Sequence, residues 1–176
     1  HDDLVRRDFT ATAPNELWLT DITEHWTREG KLYMCAIKDV YSNRIVGWSI
    51  DSRMKARLVV AAIEMAVARR DGDVAGCIVH SDRGSQYTSD QFQQLLAEHG
   101  VICSMSRSGN CWDNAAMESF FSSLKTERTA RTTYRSRDQA KADVFDYIER
   151  FYNPRRRHST LGYLSPMEFE RQAKRA

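Results

Sequence analysis

Three apolar, β-rich runs crowded into the first fifty residues constrain the fold more than any other feature of the chain. Leu17–Thr23, Lys31–Val40 and Arg44–Ile50 mix apolar and β-branched side chains. Only Glu29-Gly30 and Tyr41-Ser42-Asn43 serve as turns between them. A parallel crossover needs roughly a dozen residues, so links this short predict an antiparallel meander. The hydrophobic period then changes. Leu58, Val59, Ala62, Ile63, Ala66 and Val67 recur at helical spacing, and Gly72 lies just past them. Cys77–Ser81 reads as a short strand ending in Asp82-Arg83-Gly84. Thr88-Ser89-Asp90-Gln91 fits a capping box opening a helix with Phe92, Leu95 and Leu96 on its apolar face, and Gly100 closes it. Val101–Met105 is the fifth strand. The order βββαβαβ predicts an α/β fold: a mixed five-stranded sheet, three strands antiparallel and then two parallel, flanked by helices.

From Trp112 the pattern is helical. Met117, Phe120, Phe121 and Leu124 form one apolar stripe. Ser136-Arg137-Asp138-Gln139 can cap a helix carrying Ala140, Val144, Ile148 and Phe151, which Asn153-Pro154 ends. Ser165-Pro166-Met167-Glu168 opens a short terminal helix. The expected organisation is a catalytic core over residues 1–130 and a helical extension over residues 131–176, packed on the core or beside it. Hydrophobic residues make up 41% of the 176, enough for a core, which excludes a mainly disordered chain.

The net charge of +2 speaks weakly against a dedicated nucleic-acid binder, but it is unevenly spread. Residues 1–100 hold 12 Lys+Arg against 15 Asp+Glu, whereas residues 101–176 hold 14 against 9. Cys35, Cys77, Cys103 and Cys111 form no C-x-x-C pair, and neither a secretory signal nor a membrane-length apolar run is present. Reduced thiols, a cytoplasmic setting and no membrane partner are expected. The first residue is His1 rather than Met, so we expect a piece of a longer protein.

Three acids occupy costly positions. Asp21 lies inside an apolar strand, Asp82 at the tip of another, and Glu118 on a helix beside its apolar stripe. In a βββαβαβ sheet the first and fourth strands can be neighbours, which would set Asp21 beside Asp82. Clustered carboxylates raise one another's pKa unless cations neutralise them, and hard oxygen donors suit Mg²⁺ or Mn²⁺. A pair of such ions can clamp the attacking and leaving oxygens of a phosphodiester. Taken singly, Asp82 reads first as a turn former and Glu118 as a solvated salt-bridge partner.

The longer motifs decide between these readings. Leu17-Trp18-Leu19-Thr20-Asp21-Ile22-Thr23, His80-Ser81-Asp82-Arg83-Gly84-Ser85-Gln86-Tyr87 and Ser108-Gly109-Asn110-Cys111-Trp112-Asp113-Asn114-Ala115 are followed by Glu118-Ser119-Phe120-Phe121-Ser122-Ser123-Leu124-Lys125-Thr126-Glu127. Tyr152-Asn153-Pro154-Arg155-Arg156-Arg157-His158-Ser159 and Leu161-Gly162-Tyr163-Leu164-Ser165-Pro166 complete the pattern. Together they resemble the catalytic domain of the retroviral-integrase superfamily, and most closely an IS3-type insertion-sequence transposase, over about residues 9–170. The resemblance implies an RNase H-like fold and a D-D-E triad of Asp21, Asp82 and Glu118 holding two Mg²⁺ or Mn²⁺ ions. It implies a DDE polynucleotidyl transferase that cleaves the ends of a bacterial mobile element and joins them by 3′-hydroxyl attack. It also implies a basic residue seven positions after the glutamate, here Lys125. Two helical turns put Lys125 on one face with Glu118, Asn114 and Ser122.

Implied partners are DNA, as terminal inverted repeats and as target, an N-terminal helix-turn-helix region outside this chain, and further copies of the protein on paired ends. Lys125 and Asn114 are candidate DNA contacts, as are Arg155, Arg156, Arg157 and His158. A solvated lysine, a loop-tethering asparagine and a solvated charge run are the plain alternatives. His80 shares a strand face with Asp82 and could orient a water or a phosphate, or simply be a satisfied strand histidine. Tyr87 and Trp112 read as core before they read as base-stacking groups. Rival functions are a nuclease of the same fold that does not join, a catalytically silent DNA-binding module, and a small-molecule hydrolase, the last disfavoured by the lack of a phosphate-cradling Gly-rich loop.

Overall fold

The computed structural model of the chain describes residues 1–107 and 115–175. Strands β1 (Leu17–Thr27), β2 (Gly30–Asp39) and β3 (Ile45–Asp51) form the antiparallel meander. The tight turns rely on left-handed backbone at Gly30 and Asn43, with φ of 127° and 62°. Helix α1 (Ala56–Arg69) leads to β4 (Ile78–Ser81), which pairs parallel with β1. A single helical turn α2 (Ser85–Thr88) and helix α3 (Asp90–Glu98) lead to β5 (Ile102–Met105), parallel to β4. The sheet order is therefore β3-β2-β1-β4-β5, mixed as expected. Beyond it come α4 (Ala115–Glu127), α5 (Arg137–Phe145), a π-helical segment over Asp146–Tyr152, and α6 (Pro166–Arg175).

Side-chain alternation along the strands divides the apolar residues between two layers. On one face Trp18, Cys35, Ile37, Val46 and Val79 pack against the apolar stripe of α1 and against Phe92 and Leu96 of α3. Gly47 lets α1 come this close: a Cβ there would stand 2.2 Å from the Ala62 carbonyl oxygen. On the other face Leu17, Leu19, Met34, Ala36 and Ile45 meet Met117, Phe120, Phe121 and Leu124 of α4, together with Val144, Tyr147, Ile148 and Tyr152. Burying each side chain of the size of Phe120 contributes about 2 kcal/mol.

The C-terminal segments dock through polar groups as well. The Asn153 side chain both accepts from and donates to the backbone of Ile45, at 2.9 Å each way. Glu170 on α6 accepts from Ser42, Arg44 and Arg70, and Arg70 also reaches the buried Asp39.

Two local expectations shift. Ser89 rather than Thr88 caps α3, its hydroxyl accepting from the Phe92 amide. Thr88 is spent in α2, where its amide bonds the Gly84 carbonyl. In the last long helical stretch Phe151 was expected in the core, yet it is 36% exposed while Tyr152 is 2% exposed. The π-helical turn holds an extra residue, which carries Tyr152 round to where a regular α-helix would have put Phe151. Among the described residues no helix is long and apolar enough to cross a membrane.

Candidate active site

Parallel pairing of β1 with β4 matches Leu17 to Ile78, Trp18 to Val79 and Leu19 to His80. Two residues further on come Asp21, in the middle of β1, and Asp82, just past the carboxyl end of β4. Alternation puts Asp21 on the same face as Leu17 and Leu19, the face covered by α4. That helix buries Met117, Phe120, Phe121 and Leu124, which leaves Glu118 and Ser122 exposed and Lys125 half-buried. Asp21, Thr23, Glu118, Ser122, Lys125 and Thr126 consequently line one open cleft of about 470 Å³ between β1 and α4.

Electrostatics ties the third carboxyl to these two. Burial, with the charges of Asp82 and Glu118 added, pushes the Asp21 carboxyl up to about 6, while the Ile22 amide, 2.8 Å away, works in the opposite sense. Asp82 borders the cleft without lining it. Its Oδ1 accepts from the Gly84 amide at 2.7 Å, and a Cβ on Gly84 would stand 2.9 Å from that oxygen. The glycine of Asp82-Arg83-Gly84 is thus a close-approach residue that lets the carboxylate fold back over the turn.

Among the described residues no group of three or more His, Cys, Asp and Glu side chains forms a ready-made metal cluster. The donor chemistry nevertheless fits a hard divalent cation. Asp21 carries a half-buried negative charge that two neighbouring carboxylates oppose, and a cation among the three would relieve that repulsion.

Lys125 stands in the cleft two turns from Glu118, and its charge, after burial, lowers the pKa of His25. Arg155 and Arg157 are exposed, whereas Arg156 is held by Glu127 at the end of α4. His158 packs edge-on against Tyr152 with ring centroids 5.1 Å apart. Asn114, Asn110 and Trp112 lie outside the described residues. His80 is 3% exposed, shares a hydrogen bond with Ser104 and meets the Phe9 ring edge-on, away from the cleft lining. Tyr87 is core: it is 1% exposed, hydrogen-bonded to Thr20 on the opposite sheet face and edge-on to Phe92.

One residue beside the site was not singled out from sequence. Lys38 of β2 is buried, its ammonium pushed down to about 8 by desolvation, and it donates to the Ala116 carbonyl at 2.8 Å. It thereby anchors the first turn of the helix that carries Glu118. A lysine within the apolar KLYMCAIKDV run was its only signal.

The integrase core domain family matches residues 11–111, and a second integrase core signature matches residues 118–173. The chain is 46% identical over 169 residues to the transposase for insertion sequence element IS904 of Lactococcus lactis, covering 96% of this chain and 66% of that protein. It is 46% identical over 171 residues to transposase InsF for insertion sequence IS3fB of Escherichia coli, covering 97% and 59%. The chain thus spans about three-fifths to two-thirds of the length of these relatives. Among solved structures, the HTLV-2 integrase catalytic core domain in complex with magnesium superposes with a TM-score of 0.66 at 14% identity, covering 92% of this chain and 99% of that one. The shared architecture is the RNase H-like one that the strand order implies. Motifs, sheet topology and these matches agree: the chain belongs to the integrase core domain family and is similar to the transposases of insertion sequences.

Proposed function

We propose that the chain is the catalytic core of a DNA transposase, and that Asp21, Asp82 and Glu118 hold two divalent ions, Mg²⁺ or Mn²⁺. The observation that carries this reading is that Asp21 and Glu118 line one cleft with Lys125, while Asp82 stands near enough for its charge to act on Asp21, whose carboxyl is pushed up to about 6 by burial first and by these two acids after it. Divalent ions held there supply Lewis-acid stabilisation of charge on the attacking and leaving oxygens of a phosphodiester. The chain's own residues orient and bind. Asp21 and Asp82 face the reacting phosphate from the sheet, and Glu118 faces it from α4. Lys125 pairs with a backbone phosphate of the element end, Arg155 and Arg157 meet the DNA backbone further out, and Asn114 is a further DNA contact. Arg156, also bonded to Glu127, and His158 belong to the same loop as Arg155 and Arg157 and contact the same DNA backbone. The reaction is in-line attack first by water and then by the freed 3′-hydroxyl, without a covalent protein–DNA intermediate. The full enzyme acts on terminal inverted repeats and target DNA, as copies assembled on paired ends, with a helix-turn-helix region N-terminal to this core. The core spans residues 1–130, with residues 131–176 as its helical extension.

Supercoiled DNA carrying candidate element ends, incubated with Mg²⁺ or with EDTA, tests the reading. Metal-dependent 3′-end nicking and joining, abolished by Asp82→Asn with the fold intact, is the expected result. Nicking without joining of pre-cut ends would place the chain among nucleases instead. Full activity of Asp82→Asn would overturn the assignment.

A further inference from the structure

Helix α4 has a second polar flank that the triad does not use. Ser119 and Ser123 sit about 100° around the helix axis from Glu118 and Ser122. With Arg157, His158, Ser159 and Tyr163 they line a separate open cleft of about 440 Å³. Among the described residues no carboxylate lines it.

The loop opposite α4 is built to present this surface. Arg156 also lines the cleft, but its guanidinium is already bonded to both carboxylate oxygens of Glu127 and lies 5.9 Å from the centre of the Tyr152 ring. The His158 amide donates to the Leu164 carbonyl, and the Leu161 and Tyr163 amides donate to the His158 carbonyl. Gly162 and Tyr163 turn the chain through left-handed conformations, with φ of 66° and 62°, which leaves Tyr163 69% exposed. Arg157 between these anchors is exposed and has no ion pair among the described residues. The His158 Nε2 is buried with no hydrogen-bond partner among the described residues. Burial beside Arg156 and Lys38 keeps the ring neutral, its pKa pushed down to about 4. The Ser123 hydroxyl donates to the Ser119 carbonyl, 3.1 Å away, a local bond that a stronger acceptor can replace.

A concave surface with one exposed guanidinium, several hydroxyls, an unpartnered imidazole nitrogen and no acid is suited to a phosphodiester. We infer that this cleft is a second DNA-backbone site, in which Arg157 pairs with a phosphate and the hydroxyls of Ser123, Ser159 and Tyr163 donate to its oxygens. The inference rests on the DNA-processing reading above and adds to it a second strand contact. The two clefts share no lining residue and open on different flanks of α4, so a phosphate held here is not the one under attack at the triad. Its source is either the element end continuing past α4 or the target duplex.

Fluorescence anisotropy over a range of salt concentrations tests this. Two labelled duplexes of equal length serve as probes, one ending in an insertion-sequence inverted repeat and one of unrelated sequence. Arg157→Ala is expected to weaken binding several-fold and to reduce the slope of log affinity against log salt by about 0.9, one phosphate's worth. Ser123→Glu is expected to weaken binding at least tenfold by placing an anion in the cleft. Both variants should melt as the parent does, and the Arg157→Ala effect should multiply with that of Lys125→Ala, because separate phosphates are lost. Loss confined to the repeat-bearing duplex assigns the cleft to the element end; loss on the unrelated duplex assigns it to target DNA; either supports the site. Unchanged affinity and slope in both variants, while Lys125→Ala still lowers them, overturns the second site alone. If Lys125→Ala also has no effect, the DNA reading itself falls.

Discussion

Arg156 donates through Nε and Nη2 to both carboxylate oxygens of Glu127, at 2.8 to 3.1 Å, and so clamps the basic loop to the last turn of α4. The Tyr147 hydroxyl donates to the same carboxylate at 2.7 Å, which joins three segments at one point. Both members of the clamp are partly shielded, with side chains 25% and 33% exposed. Arg156→Ala and Glu127→Gln are each expected to cost about 1–3 kcal/mol in urea unfolding. A double-mutant cycle should return a coupling of about 1 kcal/mol. Equal losses from removing a positive and a negative charge would mark a structural pair.

Asp21→Asn should raise the melting temperature in EDTA while abolishing DNA cleavage. Its carboxyl is pushed up to about 6 by burial and by two neighbouring acids, so its ionised form, which still predominates at pH 7, is destabilised by folding. Replacing it with a neutral isostere removes that penalty, for a gain of about 1–2 kcal/mol after allowing for partial exposure. The gain should shrink or reverse in saturating Mg²⁺, because only the parent then binds the ion well. Differential scanning fluorimetry with and without Mg²⁺ measures both arms.

Gly47→Ala should be among the most damaging small substitutions in the chain. The added methyl would stand 2.2 Å from the Ala62 carbonyl oxygen and 2.9 Å from the Ala66 Cβ, both on a helix pinned against the sheet. Overpacking of this kind costs about 1–3 kcal/mol or more, since α1 must lift along its length. Thermal melting of the purified variant checks it, with Gly72→Ala as a comparison: no neighbour lies within 4 Å there, but its φ of 75° penalises the backbone.

Acid should loosen the docking of α6. Glu170 has its carboxyl lowered to about 2: burial alone would raise it, but Arg70, Ser42 and Arg44 outweigh that. A carboxyl with a depressed folded pKa contributes stability above its unfolded value, near 4.5, and loses it as pH falls towards 2. The contribution at neutral pH is about 3 kcal/mol. Asp39, across Arg70, shifts the opposite way because desolvation dominates there. Glu170→Gln therefore isolates the effect better than the parent curve does. Urea melts between pH 6 and 3 should show a flatter acid limb in the variant.

Much of the fold was legible because its signals are local. Turns of two and three residues allow only a meander, and the change of hydrophobic period at Leu58 marks the first crossover. From that order alone β1 and β4 could be placed side by side, and with them Asp21 and Asp82. Glu118 and Lys125 were readable as partners on one side of α4 because helical spacing is a property of the segment itself. The extra residue in the π-helical turn was not legible. It is set by what Tyr152 meets in the core, namely Phe120, 4.9 Å away between ring centroids, and no periodicity in the segment announces that contact.

The same distinction holds across the molecule. By itself the sequence determined the strand and helix order, the placing of two acids on strands that can be neighbours and the division of α4 into an apolar packing side and a polar side. These follow from side-chain period, turn chemistry and chain connectivity. Only the tertiary structure decided that Arg156 belongs to Glu127 while Arg157 stays exposed, that Lys38 anchors the turn bearing Glu118, and that Glu170 is gripped by Arg70 and Arg44. Those partners lie from 29 to 126 positions apart along the chain. Their pairing depends on which groups burial strips of water together, a property of the packed whole rather than of any segment.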